Sequence, residues 1–190
     1  MQNFKEYLKE NEIQDIIIYN KNLVHGKLKK QYPDIKGDFD CSNREIITLK
    51  FAPKYVGGNF YCYNTNITSL EFAPQSVGHD FSCFGTKITT LEFAPQYVGR
   101  SFGCSDTKIT SLKGIGKDYL KEVRGEIYLK ECHHLKSSML GIMLVKELQE
   151  IYFDNKEVQD IFNRHLKGDK DILDCQEELI TNGLKEYAKL

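Results

Sequence analysis

The sequence lacks any apolar run long enough to cross a membrane. Its longest, MLGIMLV at 139–145, is far shorter than the roughly 20 residues that a membrane-spanning helix needs. The first residues, MQNFKEYLKENEI, also lack the apolar stretch of a secretory signal. We therefore expect a cytoplasmic protein whose partner is not a membrane.

An excess of charge is missing as well. The chain has 26 lysine and arginine residues against 27 aspartate and glutamate residues, which gives a net charge of -1. Proteins that hold nucleic acid by its phosphates usually carry a clear basic excess. This balance gives no reason to expect nucleic acid as the partner.

No Cys-x-x-Cys pair occurs among the six cysteines, so a common spacing of zinc ligands is missing. Four cysteines instead recur at one constant interval, at Cys41, Cys62, Cys83 and Cys104. Thiols stacked in a line cannot converge on one tetrahedral ion. We expect them to fill the core as small apolar side chains, without a metal or a cofactor.

What the sequence does contain is a repeat of constant length, in four copies that start near 37, 58, 79 and 100. Each copy has phenylalanine two residues before its cysteine, isoleucine five after and leucine eight after. Three copies continue with Ala-Pro and Val-Gly, which we interpret as the turn into the next strand. A fixed period with constant apolar positions predicts a solenoid, in which each turn packs on its neighbours.

Within each copy, Phe-x-Cys alternates as a short strand does, with both side chains on the buried face. Degraded copies at 16–23 and 125–135 extend the row to about six parallel strands on the concave side. The tail, including SSMLGIMLVKELQEIYF at 137–153, has the apolar content of helices. The sequence therefore predicts one structural unit: a repeat solenoid over 15–135, between a short N-terminal helical cap at 1–14 and a helical C-terminal cap at 136–190.

The repeat F-x-C-x-x-T-x-I-x-x-L resembles the core LxLxxNxLxxL of leucine-rich repeats in their short bacterial form. The asparagine of that motif is replaced by Thr65, Thr86 and Thr107, and by Arg44 in the first copy. The stretch GGNFYCYNTNITSLEFAP is also similar to the GGxFxCxxNxLTSLxxAP repeats of small proteins of tailed bacteriophages. This resemblance covers the chain from about residue 15 to residue 190. It implies a leucine-rich-repeat-like solenoid and a viral protein in an infected bacterial cell, and it carries over no catalytic residues.

Candidate binding residues follow from the alternation in the strands. If phenylalanine and cysteine face inward, the residues beside them face outward across the concave sheet. Aromatic rings rimmed by aspartates are typical of protein-binding surfaces. The residues that combine these features are Tyr19, Asp40, Tyr61, Tyr63, Asp80, Phe84 and Tyr128. Strands favour aromatic residues in any case, so a purely structural interpretation stays open.

This pattern favours a protein that works by stoichiometric binding, for instance as an inhibitor of a host defence protein, and not an enzyme. One alternative is an assembly protein that self-associates through an end rung or the helical cap. Another is a small enzyme with a site near Cys132 and His134, in the stretch ECHHLK. Adjacent strand residues point in opposite directions, so His133 and His134 could not both reach one metal ion from a regular strand.

Overall fold

The computed structural model describes residues 15–135, 137–168 and 170–190. The N-terminal helix predicted for 1–14 lies outside the described residues. Within them the chain winds as a solenoid of parallel strands, and each copy of the repeat forms one rung. The repeat solenoid predicted from the sequence is thereby confirmed.

The front sheet consists, in the described part of the chain, of seven short parallel strands. They are Ile16–Ile17, Phe39–Asp40, Phe60–Tyr61, Phe81–Ser82, Phe102–Gly103, Glu126–Tyr128 and Glu150–Tyr152. Equivalent residues of successive copies are paired, so that Phe60 lies between Phe39 and Phe81. The strands predicted for the four copies are present.

A back sheet forms at the Val-Gly segments. Counting described residues only, it has four parallel strands, Tyr55–Val56, Ser76–Val77, Tyr97–Val98 and Glu122–Val123. Their valines are fully buried in the same core as the phenylalanines of the front sheet. The predicted turn is present at the glycines, which lie in bends before the next front strand, but the valines belong to strands that pair with the same position in the neighbouring copy.

Four phenylalanine rings form a continuous stack through the core. The centroids from Phe39 to Phe60, to Phe81 and to Phe102 are 5.4, 5.3 and 5.2 Å apart, and successive planes differ by at most 7°. The four repeat cysteines are free, fully buried thiols, and burial raises their pKa values. They fill the core as small side chains, as predicted.

A threonine hydroxyl closes the turn after the front strand in three copies. Oγ1 of Thr65, Thr86 and Thr107 donates to the carbonyl of the repeat cysteine at 2.7, 2.7 and 2.8 Å. In the first copy Arg44 stands at this position, and its Nε donates to the Ile18 carbonyl at 3.0 Å. A bond to the preceding rung thus replaces the bond inside the turn.

The segment after the degraded copy at 125–135 differs from the helical cap that the sequence predicts. Residues 137–153 contain a 3-10 helix, Met139–Leu144, and the seventh front strand, Glu150–Tyr152. This strand pairs with Glu126–Tyr128, which has the same Glu-Ile-Tyr sequence. The open edge of the preceding strand supplies backbone partners that a helix at this place would leave unpaired.

Two helices follow, α1 (Lys156–Lys167) and α2 (Ile172–Thr181). Helix α1 covers the edge of the last front strand. Its Asn163 amide accepts from the Ile151 N–H at 2.7 Å and donates to the Ile151 carbonyl at 3.0 Å. Gln159 accepts from the Phe153 N–H at 3.0 Å. These side chains take the place of a further strand and close the sheet at this end.

Candidate functional site

The seven predicted binding residues lie on the outward surface of the front sheet, here called the front face. Each stands beside a buried residue of its rung, on the opposite side of the strand. Tyr19, Phe84 and Tyr128 are 50%, 39% and 37% exposed. Tyr61 and Tyr63 are half-buried. The front face therefore presents aromatic rings to solvent.

Three of the predicted aromatic residues form the central cluster, defined as Tyr61, Tyr63 and Phe84, in which Tyr63 contacts the other two rings. The rings of Tyr63 and Phe84 are stacked, with centroids 4.7 Å apart and planes 9° apart. Tyr61 meets Tyr63 edge-on at a centroid distance of 6.0 Å. This contact orients the rings, so a molecule that bound them would cost little additional side-chain entropy.

The other two predicted aromatic residues lie apart from this cluster. Tyr128 stacks on Tyr152 of the last front strand, with centroids 4.7 Å apart. Sequence reasoning missed Tyr152 because its segment was assigned to a helix, although the repeated Glu-Ile-Tyr triplet could have revealed it. Tyr19 lies on the first rung, where the guanidinium of Arg44 is 5.7 Å and the ammonium of Lys21 is 5.5 Å from its ring centre.

Small residues separate the two aromatic groups. Ser82 and Gly103 stand in the same column as Tyr61 and Tyr128, one on each intervening rung. A Cβ placed on Gly103 would meet its nearest atom, Oγ of Ser82, at 3.6 Å, which is an ordinary van der Waals distance. The two aromatic groups are thus separated by two rungs whose side chains in this column are small.

The aspartates of the front face also support the solenoid. Oδ1 of Asp38 accepts from the backbone N–H of Asn59 at 2.6 Å, and Oδ1 of Asn59 accepts from that of Asp80 at 3.0 Å. Oδ1 of Asp80 accepts in turn from the backbone N–H of Ser101 at 3.0 Å. These bonds form a ladder that runs from rung to rung. The predicted binding residue Asp80 therefore has a structural role that sequence reasoning did not identify.

Asp40 and Asp80 also carry negative charge that the fold leaves unpaired. Asp40 accepts hydrogen bonds from the N–H and hydroxyl of Ser42, in its own rung. Among the described residues, no lysine, arginine or histidine forms an ion pair with either carboxylate. The front face around the central cluster is therefore both aromatic and acidic.

The carboxylates of the front face raise the pKa values of two of its tyrosines. Burial raises the pKa of Tyr61, and the carboxylates of Asp38 and Asp80 raise it further, because they disfavour the phenolate. The pKa of Tyr128 is raised by burial first and then by Glu126. Both hydroxyls stay protonated at neutral pH and can donate hydrogen bonds to a partner.

A second aromatic surface, missed by sequence reasoning, is formed by the turn phenylalanines, defined as Phe51, Phe72 and Phe93. Their φ angles are 78°, 68° and 67°, in turns closed by a bond from the next alanine to the repeat leucine. Bulky residues rarely adopt this conformation, and the fourth copy has Gly114 there. Phe93 lines two adjacent grooves of about 540 and 630 Å³. The sequence could have revealed this surface, because phenylalanine directly precedes Ala-Pro in three copies of the repeat.

The stretch that suggested an enzymatic site is divided between core and solvent. Cys132 is 2% exposed, and its hydrogen bond with the Cys104 thiol lowers its pKa to about 7 in spite of burial. His133 and His134 are exposed. A buried thiol beside exposed imidazoles does not favour a nucleophile and a base that act on one substrate.

Within the described ranges, no group of three or more histidine, cysteine, aspartate or glutamate side chains could hold a metal ion. In the same part of the chain, no helix is long and apolar enough to cross a membrane. No protein-family model, no curated protein and no solved structure matches this chain.

Proposed function

We propose that this protein is not an enzyme and acts by binding another protein through the front face. The observation that carries the proposal is the central cluster, in which Tyr63 contacts the rings of Tyr61 and Phe84 on an outward surface. Tyrosine rings offer a large contact area and a hydroxyl at low cost in side-chain entropy, and they dominate many protein interfaces. A solenoid presents such side chains at regular spacing on one surface.

The expected partner is a protein of a bacterial host, and the expected effect is stoichiometric inhibition, for instance of a defence system. This part of the proposal is supported by the similarity of the repeats to those of tailed-phage proteins, which implies the cytoplasm of an infected cell as the location. The acidic front face supports a protein over a nucleic acid as partner, because Asp38, Asp40 and Asp80 would repel phosphates.

Replacing Tyr63 and Phe84 together by alanine is expected to abolish capture of the partner without unfolding the protein. Removal of a central aromatic anchor typically weakens an interface by about 2 kcal/mol or more. The measurement is a pull-down from bacterial lysate with tagged protein, in which mass spectrometry identifies the bound proteins. Circular dichroism of the variant checks that the fold is kept.

The matched control is the double variant Phe72→Ala, Phe93→Ala, which removes two exposed rings from the turn phenylalanines. It is expected to retain the host protein that the wild type retains. If the variant at Tyr63 and Phe84 retains the same protein, the front face is not the binding site. Loss of the protein from the control alone would assign binding to the turn phenylalanines.

The protein is expected to be a monomer in solution, in contrast to a self-assembling scaffold. Stacking through the last front strand would have to displace Asn163 and Gln159, which already bond to its backbone. Size exclusion with light scattering measures the mass. A single species of 22.0 kDa is the expected result. A large discrete oligomer would favour assembly over inhibition.

A further inference from the structure

We infer that the front face takes a basic segment of its partner, whose lysine or arginine side chains lie over the central cluster and near the carboxylates of Asp40 and Asp80. The inference rests on the proposed function and adds the chemistry of the partner to it. A basic segment fits both parts of the surface, because carboxylates and the faces of aromatic rings both attract cations.

Three columns of outward residues run across the rungs of the front face, at the position before the repeat phenylalanine and at the positions one and three after it. Most charged side chains in these columns are acidic. Across the described rungs, Lys130 is the single basic residue in these columns. The carboxylates in the same columns are Asp15, Asp38, Asp40, Asp80, Glu126, Glu150 and Asp154. Within the described chain, only two carboxylates of this set have a basic group within 4.0 Å. Glu150 lies 2.6 Å from Lys167, and Asp154 lies 3.8 Å from His133. Although the total charge of the chain is balanced, the front face is negative around the central cluster.

The carboxylates beside the central cluster are fixed in place with one oxygen left for a partner. Asp40 uses Oδ1 to accept from Ser42, and Asp80 uses Oδ1 to accept from Ser101. Oδ2 of each accepts no hydrogen bond from the part of the chain that the structure describes. Guanidinium and ammonium groups donate to oxygens of this kind. Because the carboxylates are already positioned, a cation that binds them costs little side-chain entropy.

The ring of Tyr61 lies within this negative field. The carboxylates of Asp38 and Asp80 contribute, after burial, to the raised pKa of its hydroxyl, so their charges act at the ring. The first rung provides a local example of cation binding, since the Arg44 guanidinium lies 5.7 Å from the ring centre of Tyr19. A cation of the partner would meet the same kind of ring at Tyr61, where nearby carboxylates would attract it as well.

Other occupants fit this surface less well. An apolar segment would suit the rings, but it would take the charges of Asp40 and Asp80 out of water without compensation. Nucleic acid or an acidic segment would be repelled. A second copy of this chain would bring one acidic front face against another, which disfavours a symmetric pair.

The test titrates the full chain with fluorescent octapeptides in which glycine alternates with arginine, with glutamate or with serine. The arginine peptide is expected to bind saturably, to bind more weakly as salt increases, and to shift the NMR signals of the central cluster. The double variant Asp40→Asn, Asp80→Asn is expected to bind it at least about tenfold more weakly. Asparagine keeps the ladder intact, because Asn59 makes the same bond in the preceding rung.

The charge-matched control is Glu71→Gln, Glu92→Gln, which removes two exposed carboxylates outside the front face. This control is expected to bind the arginine peptide as the wild type does. Equal binding by the two double variants overturns the inference. So does a wild type that fails to bind the arginine peptide saturably, or that prefers the glutamate or the serine peptide.

The lysate pull-down separates this inference from the proposed function. A partner that is lost from the variant at Tyr63 and Phe84 but kept by the variant at Asp40 and Asp80 overturns the basic segment and leaves binding through the front face intact. A partner kept by both variants overturns the proposed function itself. Loss from both supports the two proposals together.

Discussion

Replacing Gly78 by alanine is expected to destabilise the protein by about 3 kcal/mol or more, although the change adds one methyl group. The new Cβ would lie closer than 3.0 Å to the carbonyl oxygen of Gly57 in the preceding rung. The obstacle is backbone, so only a separation of the rungs can relieve it. Such a separation would stretch the bond from the Gly78 N–H to the Val56 carbonyl, which is 2.8 Å long.

The matched control for this change is Gly103→Ala, at a glycine of the front face. A Cβ there would meet no atom nearer than 3.6 Å, so the free energy of unfolding should change by no more than about 0.5 kcal/mol. Urea denaturation of the wild type and both variants measures the two differences. Similar losses in the two variants would contradict the close contact between rungs as the cause.

The role of this glycine shows how far the sequence alone determines the fold. The constant period of the repeat predicts the solenoid, because apolar positions that recur at one interval need neighbours in register. The Val-Gly pair, however, looks like a turn when one copy is considered alone. Gly78 is required by the carbonyl of Gly57, a contact between copies that sequence patterns within one copy cannot reveal.

The sequence likewise predicts one part of the candidate site and not the rest. Strand alternation places Tyr63 and Phe84 on one face, and their stacking follows because they occupy equivalent positions of adjacent rungs. Tyr152 was missed, since its strand forms only by pairing with the edge of the preceding one. The ladder through Asp80 was also missed, because its bonds join side chains to the backbone of another rung.

Replacing Phe81 by alanine is expected to cost about 3–5 kcal/mol of unfolding free energy. Its ring is fully buried, with the rings of Phe60 and Phe102 stacked at 5.3 and 5.2 Å on its two sides. Each rung of a solenoid packs mainly on its two neighbours, so few other side chains could move to fill the cavity. Urea denaturation of the single variant measures the loss.

The comparison variant is Phe93→Gly, which also removes a phenylalanine ring and is expected to change the unfolding free energy by no more than about 1 kcal/mol. Phe93 is 54% exposed, and glycine relieves the strain of its left-handed φ of 67°, as Gly114 does in the fourth copy. A loss as large as that of Phe81→Ala would mean that the ring of Phe93 supports the fold. A neutral result would mean that the exposed ring of Phe93 contributes little to stability and that this left-handed turn does not require phenylalanine.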